Sequence, residues 1–196
     1  MNFIYFKGPH EDMGDLLTER NTCSICGKEH AFCFMLDFSI TDKFTTKEKE
    51  GKIGCYDCLR NGEFGFWHDT EFGFLDENGL RKVRGRNYDN TLEISANSLS
   101  ELRRTPQIVT YQQEMWLTHC NDFMVYVGTW TPKDFNLNSP TGNGKDLFLE
   151  LTDKELSHLW DESLQEGQMM LEEWYPTYYM FKCRHCDKLR GYWDCD

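Results

Sequence analysis

Six of the nine cysteines in this 196-residue chain fall into three Cys-x-x-Cys pairs: Cys23/Cys26, Cys55/Cys58 and Cys183/Cys186. Nothing else in the sequence restricts the fold as strongly. Two cysteines at this spacing sit on one tight turn and aim both sulfurs at one point, so two such turns supply the four soft donors of a tetrahedral metal shell. The 28 residues between Cys26 and Cys55 are enough chain to return the second turn to the first. We therefore expect a structural zinc site of the zinc-ribbon or treble-clef kind at Cys23, Cys26, Cys55 and Cys58. Dithiol redox chemistry is the competing reading, but its motif opens a helix within a βαβ pattern. Here the apolar, strand-like run Ala31 to Phe38 follows the first pair. Four thiolates also leave no open position for a catalytic ion.

The third pair, in Cys183-Arg184-His185-Cys186, has no equally clear partner pair. Candidates to complete its shell are His119-Cys120, His185 and Cys195. The capping box Thr110-x-x-Gln113 predicts a helix that carries Trp116, His119, Cys120 and Phe123. Neighbours on a helix point about 100° apart, so His119 and Cys120 would rarely bind one ion together. The expectation is a mixed site of Cys120, Cys183 and Cys186 with one imidazole; His119 is a candidate ligand, or a hydrogen-bonding support behind the site. Two alternatives stay open. Cys120 is a buried core thiol and the third pair only shapes a hairpin, or three ligands leave an exchangeable position for catalysis, with Asp122 and Asp194 as the available carboxylates. Cys33 lies in an apolar run and is expected in the core.

The charge balance, 21 basic against 33 acidic side chains, gives −12. A field of this sign repels nucleic acid and anionic membranes and favours a basic partner; the plainer reading is that acidity keeps the protein soluble. Aromatic residues at 15% argue against disorder despite a mean hydropathy of −0.66. The opening Met1 to Gly8 is too short for a signal-peptide core or a membrane span. A cytoplasmic, reducing setting is therefore expected, where cysteines bind metal more readily than they pair. The phosphate-binding loop, the dinucleotide fingerprint, His-Glu-x-x-His and the nucleophile-elbow motif are all absent.

The elements predict an α+β fold: small antiparallel sheets with zinc knuckles, packed with three or so helices. Residues 1–75 read as an N-terminal zinc-knuckle subdomain, 76–98 as a connecting segment, and 99–196 as an α+β subdomain with a C-terminal knuckle, the whole forming one compact unit. Asn78-Gly79 is a turn signal, and Thr91 to Ile94 reads as a short strand. Ser98 to Arg104 is a helix ended by Pro106, and Val125 to Trp130 a strand. Pro132 to Asp146 is a loop. Thr152-x-x-Glu155 opens a helix to about Glu166, with Leu156, Leu159, Trp160 and Leu164 on its apolar face. Tyr178 to Lys182 and Gly191 to Trp193 are the strands that enter and leave the last knuckle. Arg81, Lys82, Arg84 and Arg86 form a basic cluster read as a solvated loop.

Arg104-Thr105-Pro106, Gln112-Gln113-x-x-Trp116-x-x-His119-Cys120-x-Asp122 and Gly128 form one recognisable run. Taken with Cys23-x-x-Cys26-Gly27, Cys55-x-x-Cys58-Leu59-x-x-Gly62, Phe181-x-Cys183-x-His185-Cys186 and Tyr192-Trp193-Asp194, it resembles the CbrC family. That family is largely uncharacterised and associated with tolerance to a bacteriocin, a colicin. The resemblance implies a bacterial protein linked to toxin defence, and basic nuclease toxins are the partners an acidic neutraliser would meet. The leading expectation is thus a non-enzymatic, zinc-stabilised binding protein, an immunity- or tolerance-like factor that engages a basic protein such as a toxin. Its acidic residues would come from Glu11, Asp12 and Asp15 and from Asp161, Glu162 and Glu166. A metal- or thiol-dependent enzyme using His119, Cys120, Cys183 and Cys186 is the alternative, and a self-associating scaffold a third.

Overall fold

Turn chemistry cuts this chain into short strands. In the computed structural model, which describes residues 1–36, 51–81, 93–152, 160 and 177–194, no strand exceeds six residues. Asp76 shows the pattern: its carboxylate accepts the Asn78 N–H at 2.8 Å, and Gly79 takes φ +98°. Glycine adopts that conformation without strain, and the chain reverses at the Asn78-Gly79 signal.

The first sheet orders β1 (Leu16–Leu17), β4 (Cys33–Met35) and β5 (Ile53–Cys55). Beside it lies the ribbon of β2 (Asn21–Thr22) and β3 (Glu29–His30), and β5 runs directly into helix α1 (Tyr56–Arg60). A meander of β6 (His68–Thr70), β7 (Gly73–Asp76) and β8 (Gly79–Arg81) follows, then helix α2 (Ala96–Arg103). Next comes a hairpin of β9 (Thr118–His119) and β10 (Asp122–Phe123). The last sheet orders β11 (Val125–Thr129), β12 (Thr177–Lys182) and β13 (Leu189–Asp194). Helices α3 (Pro132–Asn138) and α4 (Gly144–Leu151) lie between β11 and β12 in the chain. Among the described residues all strand pairs are antiparallel, so the α+β class, with small antiparallel sheets and knuckle-like cysteine clusters, is as the sequence predicts.

One core joins the sheets. It runs from Phe3, Tyr5 and Phe6 through Phe34, Phe64, Phe66 and Trp116 to Tyr126 and Phe181, and it contains Cys23, Cys33, Cys55, Cys58 and Cys183. The rings meet edge to face: Trp116 and Tyr126 stand 5.6 and 5.4 Å from Phe181, the arrangement that aromatic quadrupoles favour. Gly54 lies against this core, and a Cβ there would come 2.5 Å from Phe64. A smaller cluster of Trp130, Phe135, Leu147, Phe148, Tyr178 and Met180 fills the space under α3 and α4.

Several expectations need correction. No helix starts at Thr110. The backbone there is spent on tertiary partners: Gln112 N–H on Asp194 at 3.1 Å, Met115 N–H on the Tyr192 hydroxyl at 3.1 Å, Trp116 N–H on the Asp69 carbonyl at 2.8 Å. The Gln113 side chain reaches Asp69 rather than Thr110. Pro132 to Asp146 is not a loop but holds α3 and the start of α4. The missed signal is Thr131-Pro132-x-Asp134, in which Thr131 N–H and Oγ1–H both donate to Asp134, at 2.8 and 2.6 Å. The 76–98 segment is not simply a connection, because it supplies β8, and Glu93 and Ile94 form no strand. Thr152 ends α4, its N–H and hydroxyl both donating to the Phe148 carbonyl. The helix expected beyond it lies outside the described residues except for Trp160, as do Thr91 and Leu92, Lys82, Arg84 and Arg86, and Asp161 to Glu166. Helix α2, the strand after Val125 and the β12–β13 hairpin stand where expected, α2 beginning two residues early on its Ser95 cap.

A buried polar pair ties the meander to the central segment. His68 is fully buried, with Nδ1 3.0 Å from a Glu114 oxygen and Nε2 3.1 Å from the Thr105 carbonyl. The other Glu114 oxygen accepts the Ile108 N–H at 2.7 Å. Glu114→Ala would strand both partners in the core, and we expect a loss of about 3–5 kcal/mol in chemical denaturation. Glu29→Ala, on an exposed strand position, should stay within about 0.5 kcal/mol. Equal effects would contradict this account of the core.

Candidate metal centres

Cys23 to Lys28 folds as a knuckle. The Gly27 N–H donates to the Cys23 carbonyl at 2.9 Å, the Cys23 N–H donates to the Lys28 carbonyl at 2.9 Å, and Gly27 sits at φ +72°. Two bonds tie this turn to β5: Ser24 N–H to the Ile53 carbonyl at 2.7 Å, and Ile53 N–H to Ser24 Oγ at 3.1 Å. Strand β5 ends at Cys55, whose sulfur accepts the Cys58 N–H at 3.4 Å and caps α1. The first turn of α1 thereby presents Cys58 beside Cys55, the knuckle-plus-helix arrangement of a treble clef. All four sulfurs of Cys23, Cys26, Cys55 and Cys58 lie within 4.8 Å of one another.

The tail repeats the knuckle. Asp187 N–H donates to the Cys183 carbonyl at 3.0 Å, Cys183 N–H to the Lys188 carbonyl at 2.8 Å, and Asp187 takes φ +60°. Opposite stands the β9–β10 hairpin, whose two turn residues, Cys120 and Asn121, have φ +52° and +56°. Both turn residues at positive φ mark a type I′ turn, which matches the twist of its strands. This geometry overturns the helix on which His119 and Cys120 would rarely share an ion. On a hairpin turn, unlike a helix, the two side chains converge, and His119, Cys120, Cys183 and Cys186 place one donor atom each within 4.8 Å of the others. His185 is not among them. Its Nε2 lies 2.9 Å from Asp122. Cys195 lies outside the described residues.

The donor spacing fits an ion rather than disulfides. A tetrahedron with zinc–sulfur arms of about 2.3 Å has edges of about 3.8 Å. Cys23–Cys58, Cys26–Cys55 and Cys120–Cys186 are 3.8, 3.9 and 3.8 Å apart between sulfurs, far beyond a disulfide bond of about 2.05 Å. His119 Nδ1 is 3.2 Å from Cys120 Sγ and 3.3 Å from Cys186 Sγ. Electrostatics point the same way. Burial pushes the Cys23 thiol up, but amide donors from Cys26, Cys55 and Ile25 outweigh it and bring it down to about 7. Cys183 falls to about 6, where burial is outweighed by the His185 and Cys186 amides and by His119. Burial and the neighbouring sulfurs hold Cys55 and Cys58 up, and the hydrogen bond with Cys186 is the main cause that raises Cys120 to about 11. Ionisation is thus favoured at Cys23 and Cys183 and disfavoured at Cys55, Cys58 and Cys120. A dication at the centre would allow the thiols held up to ionise as well.

The surroundings stiffen both clusters. Asp122 gathers the Tyr5 hydroxyl at 2.6 Å, His185 at 2.9 Å and its neighbouring Phe123 N–H at 2.9 Å, with Arg184 at 3.6 Å. It therefore holds both intervening residues of the third Cys-x-x-Cys. At the first cluster His30 Nε2 lies 3.4 Å from Cys26, and its Nδ1 is 3.7 Å from Asp57. Cys33 is a core thiol as expected, pushed up to about 11 by burial and then by nearby cysteine charge. The repeated Cys-x-x-Cys-x-Lys of the two knuckles was the signal that could have paired them from sequence. The role of Asp122 had no local signal, because its partners lie 117 and 63 residues away.

These features define a mixed α+β protein with two cysteine-rich clusters, each able to hold a metal ion. The chain belongs to the uncharacterised protein family UPF0167, whose model matches residues 1–195. No solved structure matches it. Among the described residues no helix is long and apolar enough to cross a membrane.

Cys55→Ser and Cys186→Ser should each lower the metal content of purified protein by about one ion per chain, read by native mass spectrometry. Cys55→Ser should also lower the unfolding midpoint the more, because Cys55 is fully buried between β4 and α1 while Cys186 is exposed. Full metal retention in either variant would contradict the ligand sets.

Proposed function

We propose that this chain is a zinc protein that works by binding rather than by catalysis, and that it meets a basic protein partner in the cytoplasm of a bacterium. Zinc is the ion that suits the donors: all-thiolate and thiolate–imidazole sets with tetrahedral spacing select it over the hard cations. One observation carries the non-catalytic part. Each cluster offers four protein donors, and a four-coordinate shell closed by protein leaves no position for substrate or activated water. An enzyme using His119, Cys120, Cys183 and Cys186 would need one of those donors to leave.

The partner reading rests on charge. The formal balance is −12 before any thiolate ionises, and four thiolates around a dication make it more negative still. Such a surface accelerates encounter with a basic protein and repels nucleic acid and anionic membrane alike. The resemblance to the CbrC family supports a tolerance or immunity-like role, in which the partner is a toxin such as a basic nuclease. Glu11 is exposed and available to such a partner, whereas Asp12 is half-buried and accepts the Tyr126 hydroxyl at 2.7 Å. The test is calorimetric titration with purified basic nuclease-toxin domains at two salt concentrations. We expect association that weakens about tenfold or more as salt is raised through the physiological range. Absence of binding, or binding indifferent to salt, would refute the partner reading while leaving the metal reading intact.

A further inference from the structure

The two clusters share a knuckle but not an environment. In the first, Cys23, Cys55 and Cys58 are buried; the exposed Cys26 has fully buried Cys55 as its sulfur neighbour, and His30 stands beside it. In the second, only Cys183 is buried, and Cys120 and Cys186 are both exposed. Their sulfurs face each other at 3.8 Å. Among the described cysteines they form the exposed pair in sulfur contact. Backbone protection differs as well. The first cluster receives amide N–H donors from Ile25, Cys26, Cys55 and Cys58, shared between Cys23 and Cys55, whereas those of the second, from His185 and Cys186, both go to the buried Cys183.

We propose that Cys120 and Cys186 form a thiol-oxidation site at which a hydroperoxide converts the pair to a disulfide and ejects the metal ion from the second cluster, while the first keeps its own. The proposal rests on the two-metal reading above. One thiolate attacks the peroxide, the O–O bond breaks, and a sulfenic acid forms as hydroxide leaves and takes a proton. The second thiolate attacks that sulfur, the S–O bond breaks, and the oxygen leaves as water with a further proton. Two thiolates are oxidised by two electrons, and with two protons from solvent hydrogen peroxide is reduced to two waters, or an organic hydroperoxide to its alcohol and one water. Cys183 and His119 alone cannot hold the dication, which passes to solvent. Closing from 3.8 Å to disulfide length brings together two exposed side chains, both at turn positions.

The fold around the site does not need the ion to stay in place. Asp122 still binds Tyr5 and His185. Arg190 bonds the Thr118 carbonyl at 2.7 Å, and Thr118 N–H donates to Glu71 at 2.7 Å. Hairpin and knuckle therefore remain docked, and a dithiol reductant with added zinc should reverse the event.

The experiment is stepwise hydrogen peroxide on metal-loaded, reductant-free full-length protein. A chromogenic chelator follows release, and disulfides are mapped by peptide mass spectrometry. The metal content is measured before peroxide is added. Starting from two ions per chain, we expect loss of one ion, a Cys120–Cys186 disulfide, and unchanged Cys23, Cys26, Cys55 and Cys58. Reduction with added zinc should restore two. Release from both clusters in parallel, retention of both ions under a large peroxide excess, or a disulfide through Cys183 or Cys195 instead would overturn the proposal with the metal reading intact. Fewer than two ions at the outset, with the second cluster empty, would overturn the metal reading and this proposal together.

Discussion

Sulfur atoms that would rather not be charged together are held within 4.8 Å at two places in this molecule, and the rest of the structure is arranged around that repulsion. Burial disfavours the thiolates of Cys55 and Cys58, and neighbouring sulfurs disfavour them further. A dication would reverse the sign of the problem: it would stabilise every thiolate at once and join chain segments far apart in sequence. Cys23 and Cys58, for instance, are 35 positions apart, and Cys120 and Cys186 are 66 apart. Strands of two or three residues carry too few ladder bonds to be stable alone. A bound ion would close the ribbon of β2 and β3 onto β5, whereas at the second cluster the bonds of Arg190 to Thr118 and of Asp122 to Tyr5 and His185 already dock the hairpin against the tail.

The aromatic core and the clusters are one construction rather than two. Cys23, Cys55, Cys58 and Cys183 are members of the same buried assembly as Phe34, Phe66, Trp116 and Phe181. Gly54 lets β5 lie against Phe64 one residue before Cys55, so the packing of a ring and the position of a ligand are set by the same strand. Asp122 plays the corresponding part at the second cluster. It links Tyr5, in the N-terminal segment, to His185 in the last knuckle. Metal affinity in this protein should therefore respond to core substitutions well away from any sulfur.

Spacing made the ligands legible and long-range contacts hid their geometry. Cys-x-x-Cys announces a knuckle because two residues suffice to turn the chain, and that information is local. Of the ten candidate donors named from the sequence, eight stand in the two clusters, His185 turns to Asp122 instead, and Cys195 lies outside the described residues. The segment from Thr110 to Phe123 misled for the opposite reason. Thr110-x-x-Gln113 has the residues of a capping box, yet Asp69, Tyr192 and Asp194 capture the side chain or backbone groups that a helix would use. None of those partners is near in sequence. Asn121 beside Cys120 was the local hint of a turn, since asparagine tolerates positive φ, and Thr131-Pro132-x-Asp134 was an equally local hint of α3. Both were outweighed by stronger-looking patterns.

Zinc K-edge X-ray absorption on the purified, reduced protein tests the central claim most directly. The account predicts a tetrahedral first shell dominated by sulfur at about 2.3 Å, with a minor nitrogen contribution at about 2.0–2.1 Å, as expected for one four-sulfur and one three-sulfur, one-nitrogen centre averaged together. A spectrum dominated by oxygen and nitrogen donors, or protein that carries no metal with its Cys-x-x-Cys pairs oxidised, would contradict it.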